Sequence, residues 1–197
     1  MLIAFVGIDG SGKSTQIELI KNHLLKQYSV KVCKAIPNNR NIIESIPYDN
    51  YITFKETLLI AMALDLMLAY KNQMSNNDDN TIYIWDRYKY CVQAYFLAES
   101  ISCEKANIIL EQIKVPEMTI WLNTEPNIAE ERIHKRGEAK LLENAKFLTC
   151  VQTHYSNILS DVNNVYRIDS EDLSASTIHR EIVSVIENHF KQKGMPL

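Results

Sequence analysis

Residues 2–7, LIAFVG, are apolar without interruption and end at a glycine-rich turn, the pattern of a short strand buried on both faces. Ile17, Ile20, Leu24 and Tyr28 then recur at spacings of three and four, which places them on one face of a helix. VKVCKAI (30–36) reads as a second strand closed by Pro37, and the polar stretch from Asn38 to Asn50 as a loop. From Phe54 to Tyr70 the chain is almost wholly apolar at helical length, so this helix is expected to be covered on most sides. SNNDDN (75–80) is a turn-rich surface loop. TIYIWD (81–86), MTIWL (118–122) and NVYRI (164–168) supply the third, fourth and fifth strands. Helical patterns fill the gaps, with Leu148, Val151, Tyr155 and Ile158 on one face and Ile178, Ile182, Val185 and Ile186 on the last. Strands alternating with helices predict an α/β fold, a five-stranded and mainly parallel sheet with helices on both faces. No repeat, low-complexity tract or linker divides the 197 residues, so one domain is expected.

Composition narrows the function classes. A hydrophobic fraction of 46% and a charged fraction of 23% are those of an ordinary globular protein, and a net charge of −3 argues against coating nucleic acid. No apolar run reaches the ~18 residues of a membrane span, and no signal peptide precedes the first strand. Cys33, Cys91, Cys103 and Cys150 are scattered without a CxxC pair, which suggests neither a zinc site nor a disulfide framework and fits a reducing cytoplasm.

The chemistry concentrates where the first strand stops. Three of the chain's five glycines, Gly7, Gly10 and Gly12, fall within six positions. Gly7-Ile8-Asp9-Gly10-Ser11-Gly12-Lys13-Ser14 matches GxxxxGK[ST], the phosphate-binding loop. Glycines let the backbone turn its N–H groups towards phosphate oxygens, and the following helix adds its positive end. In this motif Lys13 reaches the β- and γ-phosphates and the Ser14 hydroxyl ligates Mg²⁺. A plain strand-to-helix turn would need neither the lysine nor the hydroxyl. A regulatory GTPase is disfavoured, because glycine is absent between Gly12 and Gly137 and no NKxD occurs. A small P-loop kinase is the natural reading. Asp86 closes the third strand, where strand ends of open α/β sheets face the ligand crevice, and Arg87 follows with a fork suited to phosphate.

The chain resembles the thymidylate kinase family. The resemblance rests on FVGIDGSGKSTQ (5–16), on DRY with QAY following (86–95), on WLNTEPNIAEERIHKRGE (121–138) and on RIDSED (167–172). It implies a single P-loop kinase domain with a small lid at about 136–144, using ATP and Mg²⁺. Gly7, Gly10, Ser11, Gly12, Lys13, Ser14 and Thr15 would then hold the ATP phosphates. Lys13 would stabilise the transferring group, Asp86 would position Mg²⁺ through water, and Arg136 would approach the donor from the lid. Asp9 would face the acceptor's 3′-hydroxyl, Arg87 would hold its phosphate, and Tyr95 would lie beneath its sugar. The resemblance also implies a homodimer packed through helices beside the acceptor site.

Departures cluster on the base-recognition side. Met62 stands where the family carries a stacking aromatic, and Asp65 is followed by Leu66 instead of arginine. Cys91 and Val92 replace small polar residues that read the pyrimidine edge. Arg40 comes two positions late after the second strand, and Lys140-Leu141-Leu142-Glu143 replaces the lid's Asp-Arg-x-Glu. A site built to hydrogen-bond a base discriminates less without those groups. Three readings therefore stand. The first is phosphorylation of dTMP; the second is a relative acting on another nucleotide or small molecule, its pocket lined by Met62, Leu66 and Val92. The third is a nucleotide-binding regulator that has lost transfer. Met and Leu at helical spacing also serve as plain core.

Overall fold

A computed structural model describes residues 1–36, 48–75, 80–137, 144–171 and 173–195. Its strands are β1 (Leu2–Val6), β2 (Ser29–Lys34), β3 (Thr81–Asp86), β4 (Met118–Asn123) and β5 (Val165–Asp169), and the helices among the described residues are α1 (Lys13–Leu24), α2 (Tyr48–Met74), α3 (Lys89–Ala98), α4 (Glu104–Glu111), α5 (Pro126–His134), α6 (Ala145–Ser160) and α7 (Ala175–Gln192). The sheet runs β2-β3-β1-β4-β5, and every pairing is parallel.

β1 is central and wholly buried, and its alternation explains the two layers. Leu2, Ala4 and Val6 join a core with Tyr83, Trp85, Leu58, Leu66, Leu148 and Tyr155, under α2 to α6. Ile3 and Phe5 point the other way, into a core with Ile17, Ile20, Ile178, Ile182 and Phe190 from α1 and α7. Parallel strands buried on both faces read as unbroken apolar runs, and each expected strand is present within a residue or two.

The helices depart from the expectation in detail. α2 starts at Tyr48, not Phe54, and Phe54 marks a kink with φ −112° and ψ 16°. The apolar pattern thus begins where the helix bends. One face of this helix is left open, where Phe54, Leu64 and Leu68 are exposed. On α6 the buried stripe runs Leu148, Val151, Tyr155 and Leu159, with Ile158 only half-buried. Most of the expected loop at 38–50, and residues 76–79 of the second loop, lie outside the described residues. So do Arg40 and lid positions 138–143. Among the described residues no helix is long and apolar enough to cross a membrane.

Candidate active site

In an open parallel sheet the crevice lies beyond the carboxyl ends of the central strands. β1 ends at Val6 and runs into the glycine turn, and β3 ends beside it, with Phe5 in register with Asp86. The turn closes when Ser11 N–H donates to Ile8 O at 3.2 Å. Gly12 caps α1 in a left-handed conformation and has no side chain to occupy the first-turn amides. Those amides, with the exposed hydroxyl residues Ser14 and Thr15, suit an anion.

Lys13 does not project into solvent. Its Nζ donates to Gly7 O (3.0 Å), Ile8 O (2.7 Å) and Ser11 Oγ (3.2 Å), and the residue is 6% exposed. Burial lowers the ammonium to about 8, assisted by the Arg87 guanidinium nearby; Asp9 and Asp86 pull the other way. Arg87, the residue after β3, adopts a positive φ of 68° and anchors its N–H on Phe5 O at 3.0 Å. A non-glycine residue in that region marks strain held by its surroundings.

Three of the residues expected at the acceptor meet directly. Arg87 Nη2 pairs with Asp9 Oδ1. Tyr95 donates its hydroxyl hydrogen to Asp9 Oδ2 at 2.7 Å and accepts from Asp9 N–H at 3.0 Å. The guanidinium lies over the Tyr95 ring, 5.4 Å from its centroid. Burial works against the charge on Arg87, but the Asp9 carboxylate, joined by Tyr95, Cys91 and Tyr155, outweighs it, and together they hold the guanidinium well above its ordinary value. Burial and the same carboxylate push the Tyr95 phenol up. Asp9 and Arg87 thus neutralise one another at the mouth of the loop. The guanidinium's planar fork, set beside the loop by Asp9 and Tyr95, is the group suited to a phosphate.

The remaining expected residues scatter. Asp86 is half-buried at the end of β3, and Arg136 is exposed just beyond α5. Leu66 has no exposed surface, and Cys91 and Val92 are 4% and 2% exposed; all three belong to the core under α2 to α6. Leu66 therefore offers a ligand no surface, which corrects its expected place in an acceptor pocket. Met62 is half-buried against the same core. Two neighbours were not expected at the site: Phe147, 6.0 Å from the Tyr95 ring, and Tyr155, whose hydroxyl donates to Gly7 O at 3.3 Å. Tyr155 was legible as a core position of α6, and a tyrosine on an otherwise apolar stripe is the signal for a buried hydroxyl with a target.

This glycine loop, with its buried lysine and the Asp9–Arg87–Tyr95 cluster, is accompanied by a family match: the thymidylate kinase model matches residues 5–182. The chain belongs to the thymidylate kinase family. A probable thymidylate kinase of Pyrobaculum aerophilum is 34% identical over 155 residues, 78% of this chain and 80% of that protein. The thymidylate kinase of Pseudoalteromonas translucida is 26% identical over 210 residues, 97% of each. Among solved structures, the Candida albicans thymidylate kinase superposes with a TM-score of 0.68 at 19% identity, covering 95% of this chain and 91% of that one. A deoxyadenosine kinase from M. mycoides with bound dCTP reaches 0.66 at 21% identity, covering 95% and 100%. These two likenesses establish the P-loop kinase fold. With membership of the thymidylate kinase family comes the reaction class, nucleotide phosphoryl transfer.

Proposed function

We propose that this chain transfers the γ-phosphoryl group of Mg·ATP to a deoxynucleoside monophosphate, with dTMP the first acceptor and dTDP and ADP the products. The observation that carries the reading is the meeting of Asp9, Arg87 and Tyr95 beside Lys13. A carboxylate, a guanidinium and a ring stand together next to a phosphate loop, the groups an acceptor's hydroxyl, phosphate and sugar require.

The residues fit the nucleotide. Gly7, Gly10, Ser11, Gly12, Ser14 and Thr15 would hold its phosphates, and the Ser14 hydroxyl and the Asp86 carboxylate would serve the metal. An added Cβ at Gly12 would meet nothing within 4 Å, so the approach to the α1 amides is open. When bound, Mg·ATP supplies the phosphoryl group and the metal neutralises its charge. Lys13 contributes an ammonium held at the loop floor, and Arg87 contributes donors that orient the acceptor phosphate. Asp9 fixes Arg87 and, through Tyr95, the platform beneath the sugar. Arg136 and the neighbouring lid would cover the phosphates and exclude water, whose attack is the competing reaction.

A second reading concerns the acceptor. Leu66 is sealed in the core, and Cys91 and Val92 are buried, so the groups that would read a pyrimidine edge are replaced by apolar packing. That favours a thymidylate-kinase-like enzyme with a different nucleotide or small-molecule acceptor. A coupled assay of ADP release against dTMP, dUMP, dCMP, dAMP, deoxynucleosides and small hydroxylated metabolites decides. Stimulation by dTMP above the others supports the first reading; a different best acceptor supports the second. ADP release that no acceptor accelerates would leave a nucleotide-binding regulator. The same reading includes a homodimer through the exposed apolar face of α2, a cytoplasmic setting suited to four free thiols, and a lid spanning 136–144.

A further inference from the structure

α6 begins directly after the lid positions, at Ala145, and runs past both halves of the site. Near its start, Phe147 meets the Tyr95 ring at 6.0 Å. Two turns later, Tyr155 lies wholly buried with its hydroxyl on Gly7 O at 3.3 Å. That carbonyl is the one Lys13 Nζ contacts at 3.0 Å, so its two lone pairs serve the catalytic ammonium and one phenol from a distant helix. The Cys91 thiol from α3 interacts with the same phenol, and Arg87 lies close enough to act on it electrostatically.

Burial alone does not explain this contact. Among the described residues the hydroxyls of Tyr83 and Tyr90, in the same core, are buried without a hydrogen-bond partner. This core thus tolerates unpaired phenols, yet Tyr155 spans from α6 to the first residue of the glycine turn. We propose that Tyr155 is a positioning residue for phosphoryl transfer: its hydroxyl holds the Gly7 carbonyl, and through it the Lys13 ammonium, in the place that transfer requires. The assignment rests on the kinase reading above. A phenol removed from Gly7 O frees the carbonyl to turn, and Lys13 follows its acceptor away from the line of transfer. Misplacement of a catalytic cation acts on turnover more than on acceptor binding.

The test is Tyr155→Phe, which keeps the ring and deletes the hydrogen bond. With glycine labelled at the carbonyl carbon, the Gly7 resonance is expected to shift on substitution. kcat is expected to fall about tenfold, with the acceptor KM within about twofold of the native value. An unmoved Gly7 resonance overturns the proposal, and so does a moved resonance with native kcat. If the native protein accelerates ADP release with no acceptor, the kinase reading fails, and the Gly7 resonance alone decides whether Tyr155 holds the loop. Should Tyr155→Phe not fold, 3-fluorotyrosine at position 155 keeps the shape and strengthens the donor. The Gly7 resonance must then move in the direction of a stronger hydrogen bond, and no movement overturns the proposal.

Discussion

At Gly10 an added Cβ would stand 2.3 Å from the Ala129 carbonyl oxygen on α5, whereas at Gly12 it would meet nothing within 4 Å. Both residues have positive φ, at 80° and 92°. Gly12→Ala therefore bears only the left-handed backbone cost, about 1–2 kcal/mol, or a melting temperature lower by roughly 2–8 °C for a chain of this size. Gly10→Ala adds a backbone collision that neither segment relieves without moving, and the expected loss is about 3 kcal/mol or more. Urea titration of the two variants checks the order; equal losses would place the loop and α5 further apart than described. Lys13 separates function from stability. Its buried ammonium carries a desolvation cost, so Lys13→Met should keep or raise the melting temperature while lowering turnover by at least about 10²–10³-fold. A large fall in melting temperature would make Lys13 a structural residue. Its pH behaviour follows from the same burial. The free enzyme loses the ammonium as pH rises through about 8, so kcat/KM for ATP should decline above that value. A profile flat to pH 9.5 would contradict it.

At the scale of elements, α7 carries two histidines that make the fold sensitive to acid. His189 is buried, with Nδ1 3.1 Å from the Tyr166 hydroxyl and no partner for Nε2 among the described residues. Burial, then Lys193, holds its value below the ordinary 6.5, against the pull of Glu117. His179 is lowered by burial, then by His23 and Lys26 of α1 and the turn after it. Well above pH 6.5 both are neutral in folded and unfolded chains and contribute no slope. As pH falls below 6.5 the unfolded chain takes up protons that the folded chain resists, so stability is lost with acid. The melting temperature should drop between pH 7 and 5.5, and His189→Gln should flatten part of that slope; an identical slope would assign it elsewhere. What the sequence made legible follows from how local each determinant is. β1, β3 and β4 were readable because two-sided burial leaves near-continuous apolar runs, the edge strands β2 and β5 as shorter and more polar stretches closed by turns, and the loop because its glycines and lysine lie together. The start of α2 was not, since Tyr48, Tyr51 and Ile52 make only a single turn of helical spacing next to the polar stretch, and the long apolar run begins only at the Phe54 kink. The Asp9–Arg87 pair and the Tyr155–Gly7 bond join residues 78 and 148 positions apart, which no periodicity encodes. The resemblance placed Asp9, Arg87 and Tyr95 at one acceptor, but not that the carboxylate and guanidinium engage each other.

For the whole molecule, the outer face of α2 is the largest apolar surface left on a single helix among the described residues. Phe54, Leu64 and Leu68 are 53%, 40% and 51% exposed on a helix whose opposite side is sealed into the core by Leu59, Ala63 and Leu66. An apolar composition by itself does not tell a helix buried within one chain from one buried between two copies, and the sequence leaves both open. The exposed stripe favours the second arrangement, since clustered surface apolar groups mark contact surfaces. In a two-fold dimer the same patch faces itself, so one substitution acts twice. Leu68→Glu would bring two carboxylates into the interface, with Lys71 a turn further along each helix the nearest cation on it, while leaving the inward face of α2 untouched. Association should weaken about a hundredfold for each ~2.7 kcal/mol of uncompensated burial. Sedimentation velocity is expected to show the native chain as a dimer and Leu68→Glu as a monomer with unchanged circular dichroism. Leu66, two residues away and so on the sealed side, also links this surface to the neighbourhood of Arg87 through the core shared with Cys91 and Val92. Loss of the dimer should therefore raise the acceptor KM before it alters ATP binding. A native chain that sediments as a monomer at micromolar concentration would instead make the α2 stripe a surface of the monomer, and acceptor binding independent of a second copy.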